Sequence, residues 1–226
     1  MTHIILAADR FSKGIYSGNI KYTIAEDNPY YYMDDDVCYE ATDDGQYRVL
    51  FCQNKKAGHI IINDGTVSIA KFAFSMPDTY YCFSDYPAAY FTRLKTIELP
   101  SSLVTIGKGA FMHCSALETV AIGPCVKDID STAFFGCKKL TKITVSPDNP
   151  HYSDIDGVLF DKAQKKLIIY PEGRKTKVYE MPESTEEFGT AFANIACINT
   201  LRLSHSIQWI EEGAFPARCM INDIYG

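Results

Sequence analysis

The feature that most constrains this chain is a line written twice. Residues 94–116 read LKTIELPSSLVTIGKGAFMHCSA and residues 117–139 read LETVAIGPCVKDIDSTAFFGCKK, a period of 23 residues with no gap. Leu94, Ile97, Leu99, Leu103, Ile106, Ala110, Phe111 and Cys114 recur as Leu117, Val120, Ile122, Val126, Ile129, Ala133, Phe134 and Cys137. A third copy at 198–220 carries Ile198, Leu201, Leu203, Ile207, Ile210, Ala214 and Phe215 at the same offsets. Self-similarity at a fixed period of about 20–29 residues marks a solenoid.

Such a unit cannot stand alone. Eight apolar side chains contribute about 1.5–3 kcal/mol each when fully buried. Ordering each backbone residue costs about 1–2 kcal/mol before side chains are counted. A single coil therefore loses, and stacked coils gain an interface on each side.

The pattern L-x-x-I-x-L...L-x-x-I-x-x-x-A-F-x-x-C, read from Leu94 to Cys114, closely resembles the BspA-like (treponemal-type) leucine-rich repeat. Ala-Phe pairs at Ala73-Phe74, Ala110-Phe111, Ala133-Phe134, Ala191-Phe192 and Ala214-Phe215 extend it, so that it covers about residues 20–226. An ordinary leucine-rich repeat carries Asn or Cys after its strand; here the A-F-x-x-C half takes that place. The resemblance implies a leucine-rich-repeat solenoid, of the α/β repeat class but mostly β. It also implies a non-enzymatic surface or secreted protein that adheres to a host or matrix protein.

Composition removes several other functions. The net charge is −6, whereas nucleic-acid binders usually show a basic face; no nucleic-acid partner is expected. The pairs Lys55-Lys56, Lys138-Lys139 and Lys165-Lys166 read as solvated loop charges. No run approaches the ~20 apolar residues of a membrane span. The opening MTHIILAADR lacks the basic and apolar regions of a secretory leader, so the compartment stays unassigned: an intracellular chain and one whose leader has been removed both fit. The eight cysteines include no C-x-x-C spacing of the zinc or redox kind. Cys114 and Cys137, at one repeat position, are expected to stack as buried free thiols.

Taken in order, residues 1–19 fit the repeat poorly and read as an N-terminal cap, with residues 20–226 forming the solenoid. A second level of duplication follows. KYTIAEDNPYYY at 21–32 aligns with KITVSPDNPHYS at 142–153, and Val37-Cys38-Tyr39-Glu40 aligns with Val158-Leu159-Phe160-Asp161, both at an offset of 121 residues. Each block continues into two apolar strands, so 20–76 and 141–192 hold variant repeats. Counting strands near residues 22, 49, 60, 97, 120, 143, 168, 179, 201 and 222 gives about ten short rungs on a concave face. A second short segment per coil, such as Val104–Ile106 or Lys127–Ile129, should line the other face, with regular helix limited to single turns near Ala-Phe. The final strand leaves an edge that reads as a cap, or as a site of self-association.

No catalytic, cofactor or metal site is expected. Asp34-Asp35-Asp36 and Asp154-x-Asp156-Gly157 resemble the opening of a calcium loop, but the twelfth position, where an EF-hand needs Glu, falls on Gly45 or Lys165; these are turn residues. The five histidines are scattered, and the Ser/His/Asp and phosphate-loop patterns are missing. Two candidate partner sites remain. One is the concave face, where Lys95, Glu98, Glu118, Lys142 and Arg202 point outward. The other is an aromatic insertion at 76–91, with Tyr80, Tyr81, Phe83, Tyr86 and Tyr90, because tyrosine-rich insertions on one side of a repeat array suit interfaces. The expected function is a protein-binding scaffold. Alternatives are an intracellular self-assembling module and a carbohydrate-binding solenoid.

Overall fold

The computed structural model describes residues 23–53, 57–75, 91–192, 195, 198–215 and 223–225. Its first strands are β1 (Tyr31–Asp34), β2 (Val37–Ala41), β3 (Tyr47–Cys52), β4 (His59–Ile61), β5 (Thr66–Ile69), β6 (Thr96–Glu98), β7 (Thr105–Ile106), β8 (Thr119–Ile122) and β9 (Asp128–Ile129). Then come β10 (Lys142–Val145), β11 (Tyr152–Ile155), β12 (Val158–Asp161), β13 (Lys166–Ile169), β14 (Val178–Glu180), β15 (Glu187–Phe188), β16 (Thr200–Arg202), β17 (Trp209–Ile210) and β18 (Asp223–Tyr225). The one helical element among the described residues is a 3-10 turn at Thr190–Phe192. It falls on an Ala-Phe pair, as the sequence suggests.

Each coil contributes two strands. The L-x-x-I-x-L half supplies a first face, with parallel ladders β4-β6, β8-β10 and β14-β16-β18; Glu118 N donating to Lys95 O at 3.0 Å joins β6 to β8. The second half supplies the parallel runs β3-β5-β7-β9 and β13-β15-β17 on a second face. Seven described strands thus stand on the first face, fewer than the ten rungs expected. The strands near 49 and 168 are β3 and β13 of the second face, and the one near 22 lies outside the described residues. An apolar strand pattern states that a strand is buried; it does not state in which sheet.

Repeat chemistry becomes columns inside the array. Phe74, Phe111 and Phe134 stack face to face, with centroids 5.0 and 5.3 Å apart and planes within 9° and 3° of parallel. Phe74 N donates to Ala110 O and Phe111 N to Ala133 O, both at 2.8 Å. Beside them Cys114 and Cys137, fully buried and free, point their thiols at Phe74 O (3.4 Å) and Phe111 O (3.2 Å). The small residue before Phe is what lets the coils close to main-chain distance. Gly136 serves the same end: its φ is +76°, and a Cβ there would lie 2.2 Å from His113 Nδ1.

The duplicated blocks are antiparallel three-stranded units, β1-β2-β3 and β11-β12-β13. Both carry a register shift at the same place, Cys38/Tyr39 and Leu159/Phe160. Both turn through two residues of positive φ, Asp35-Asp36 and Asp156-Gly157, the conformation of a tight hairpin turn. The aspartates therefore act as turn residues. Asn28 Oδ1 accepts Tyr30 N and Tyr31 N at 2.9 Å, and Asn149 Oδ1 accepts His151 N and Tyr152 N at 2.8 Å, which is why an Asn precedes Pro in each block. The buried Asn149 also donates to Gly123 O and Val126 O of the preceding coil.

The second of these units is a wall between two cores. Tyr152, Leu159 and Ile169 pack with the coils before it, in a cluster reaching back to Val37. Val158, Phe160, Leu167 and Tyr170 pack with those after it, with Phe188, Phe192 and Leu201. Successive strand residues face opposite sides, so both sides of this layer are buried, and LF in the sequence means one residue for each core.

Candidate functional site

The first face presents the outward residues that the alternation of the strands dictates. Lys95, Thr96, Glu98, Glu118, Thr119, Ala121, Lys142 and Arg202 are all exposed, while Ile97, Val120, Ile143 and Leu201 beneath them are buried. Register aligns His59 with Thr96 and Ile61 with Glu98, Thr119 with Lys142, and Glu180 with Arg202. His59 Nδ1 lies 2.7 Å from Thr96 Oγ1, and its Nε2 lies 3.4 Å from Glu98 Oε1. Arg202 and Glu180 form an ion pair. Exposed pairs like these contribute about 0–1 kcal/mol; they set charge pattern more than stability.

The five tyrosine and phenylalanine candidates of the insertion, Tyr80, Tyr81, Phe83, Tyr86 and Tyr90, lie outside the described residues. Phe91, at the end of that stretch, is a core residue: it is buried and packs edge-to-face on Phe74 at 5.9 Å.

The five first-face candidates do not form one cluster. Lys95, Glu98 and Glu118 share the β6–β8 region, Lys142 stands on β10, and Arg202 lies beyond the wall on β16. The β11–β12 turn interrupts the face beside β10. Ile143 N donates to Gly157 O at 2.9 Å, Val145 N to Asp154 Oδ1 at 2.8 Å, and a Cβ on Gly157 would meet Lys142 Cγ at 2.5 Å. Here Arg174 bonds Asp156, its Nη2 2.6 Å from Oδ2; that hydrogen bond and charge hold the Asp156 carboxyl below its usual range. Sequence reading missed Asp156 and Arg174 as first-face residues, since nothing local places them beside Lys142.

A cavity where the wall meets the coil of Phe134, lined by Phe134, Tyr170, Glu172 and Thr190, measures about 30 Å³, the room of one water. At its rim Gly136 N donates to Glu172 Oε1 at 2.6 Å. The preceding coil's counterpart, His113 N, bonds the next coil's Phe135 O at 2.7 Å; Glu172 stands in for that missing carbonyl. Among the described residues no three His, Cys, Asp or Glu side chains converge as a metal site, and no helix is long and apolar enough to cross a membrane.

Parallel coils of this period, stacked Ala-Phe columns and an exposed polar first face define a leucine-rich-repeat scaffold. The chain matches the BspA type leucine-rich repeat region in six copies, over residues 47–176 and 169–225, and belongs to that family. The leucine-rich repeat protein TpLRR of T. pallidum is similar in structure (TM-score 0.54, 17% identity, 85% of this chain and 80% of that one). So is the pneumococcal vaccine antigen PcpA (TM-score 0.51, 19% identity, 87% of this chain and 70% of that one). At such identities the likeness is one of fold. No protein of curated function matches the chain.

Proposed function

We propose that the chain is a non-enzymatic protein-binding scaffold, displayed at a cell surface or secreted, whose first face and aromatic insertion hold a protein partner. The family resemblance supports surface display. The observation that supports binding is the first face itself. Glu98, Lys142 and Arg202 are exposed on strands, and Lys95 and Glu118 at the residue leading into one, all held in register by main-chain hydrogen bonds. A surface fixed before contact loses little entropy on binding. The test selects binders to the full chain from a displayed peptide library and measures them against Lys95→Ser/Glu98→Ser/Glu118→Ser. Binders that lose tenfold or more in affinity support the reading. A set of binders indifferent to that variant, and to Tyr81→Ser/Tyr86→Ser, would refute it.

Self-association is a second reading. Ile210 and Ile224 stand in the inward columns of Phe188 and Leu201, yet they are 39% and 46% exposed, with Trp209 beside them at 64%. Exposed apolar strands invite pairing. Light scattering at rising concentration tests it: a dimer lost in Trp209→Ser/Ile210→Ser supports it, and a monomer throughout excludes it.

A further inference from the structure

We propose that the corner where residues 138–142 meet residues 173–177 is a docking site for a short acidic segment of a protein partner. This deepens the scaffold reading and rests on it only in taking the ligand to be a protein.

The fold assembles six cations here: Lys138, Lys139, Lys142, Arg174, Lys175 and Lys177. The two segments touch through their backbones. Gly173 N donates to Leu140 O at 2.7 Å, and a Cβ on Gly173 would lie 2.4 Å from the Lys139 carbonyl carbon. Arg174 reaches across to Asp156, next to the Gly157 that packs on Lys142. The five lysines are exposed, and among the described residues none of them has a carboxylate within ion-pair distance. Three carboxylates share the corner, each already engaged: Asp154 by Val145 N and Gly157 N, Asp156 by Arg174, and Glu172 by Gly136 N. Positive charge is thus concentrated in a chain whose net charge is −6. Crowded like charges repel one another, and an anion brought among them relieves that repulsion.

Extent and flanking charge select the anion. Lysines are mobile, hydrated point charges that pair with an anion in many geometries, so the lysines by themselves do not choose between carboxylate, phosphate and sulfate. Neighbouring strands stand about 4.8 Å apart, so the corner spans on the order of 10 Å, the reach of about three extended residues. Glu98, Glu118 and Glu180 are exposed on either side of it along the same face. A long phosphate or sulfate chain would run into those carboxylates. A short acidic stretch with mixed flanks would not.

The experiment follows fluorescence anisotropy of a labelled hexaglutamate peptide with the full chain. Binding should weaken at least tenfold between about 20 and 200 mM salt, as screening shortens the range of the charges. Lys139→Gln/Lys142→Gln/Lys175→Gln/Lys177→Gln should bind at least tenfold more weakly at unchanged melting temperature. The corresponding Lys→Arg variant should bind as the parent does, and Lys127→Gln/Lys162→Gln, elsewhere on the surface, should also be unaffected. Failure of the peptide to bind at low salt would overturn the proposal, as would equal binding by the four-glutamine variant. Tighter binding of a sulfated oligosaccharide or single-stranded DNA of equal charge through the same lysines would overturn it too, in favour of another polyanion. All three outcomes leave the scaffold reading to its own test at Lys95, Glu98 and Glu118.

Discussion

Tyr152 Oη accepts the Ile129 amide at 3.1 Å and donates to Lys127 O at 3.0 Å. A side chain of the wall thus does for β9 what a neighbouring strand does elsewhere in the sheet. Tyr152→Phe keeps the ring and leaves both backbone groups unpaired, at a cost of about 1–3 kcal/mol. Urea denaturation should show it as a lower midpoint at unchanged slope; no change would mean that water replaces the hydroxyl.

The aromatic column should be the largest single contribution in the first core. Phe111 is fully buried between Phe74 and Phe134. Phe111→Ala is expected to cost about 3–5 kcal/mol, a loss large enough to unfold a marginal array, as read by circular dichroism.

Thr66 and Thr185 occupy the turn position that plain coils give to Leu103, each amide bonding the carbonyl three residues earlier. Both are fully buried, and among the described residues their hydroxyls have no partner. Thr185→Val keeps the shape and removes an unpaired polar atom, so it should be neutral or raise stability by up to about 1–3 kcal/mol. Destabilisation would show that the hydroxyl is satisfied in solution.

Among the described cysteines, thiol reactivity should separate one from four. Burial pushes the Cys38 thiol up to about 12 and those of Cys114 and Cys137 well above their usual range; Cys52 is buried and Cys125 exposed. The thiolate is the reactive form, so peptide mapping after alkylation at neutral pH should find Cys125 modified and Cys38, Cys52, Cys114 and Cys137 protected. Raised folded values also mean that these thiols favour the folded state below the unfolded value of about 8.5. That contribution should fade as the pH climbs from there towards 12.

Asp156 gives the acid-side counterpart. Its carboxyl titrates below its usual value because of Arg174, so its contribution is present above the unfolded value and is lost as the pH falls through the depressed one. Asp156→Asn should lower the melting temperature at pH 7. The gap to the parent should close in strong acid, and a gap independent of pH would assign the effect to the turn instead.

Much of this was legible beforehand. The period gave the columns of Ile97, Val120, Phe111 and Phe134, because an inward position in one coil is inward in all. The shared offset gave two variant blocks with matching Asn-Pro segments; that each folds as an antiparallel three-stranded unit was not legible. The rung count was not legible, since RVLFC and KLIIY look the same whether they line the first face or turn back in the second. Nor was the separation of Lys95, Glu98 and Glu118 from Arg202 by an intervening wall.

The sequence alone determined the repeating unit and which of its side chains are buried, because those depend on periodicity over a few residues and on the cost of exposing apolar surface. Tertiary structure decided that a hairpin layer divides the interior, with Leu159 facing one core and Phe160 the other. It also decided that lysines from two distant runs meet at one corner. Both depend on which strand takes which neighbour, a choice made by packing across the whole array rather than within any one coil.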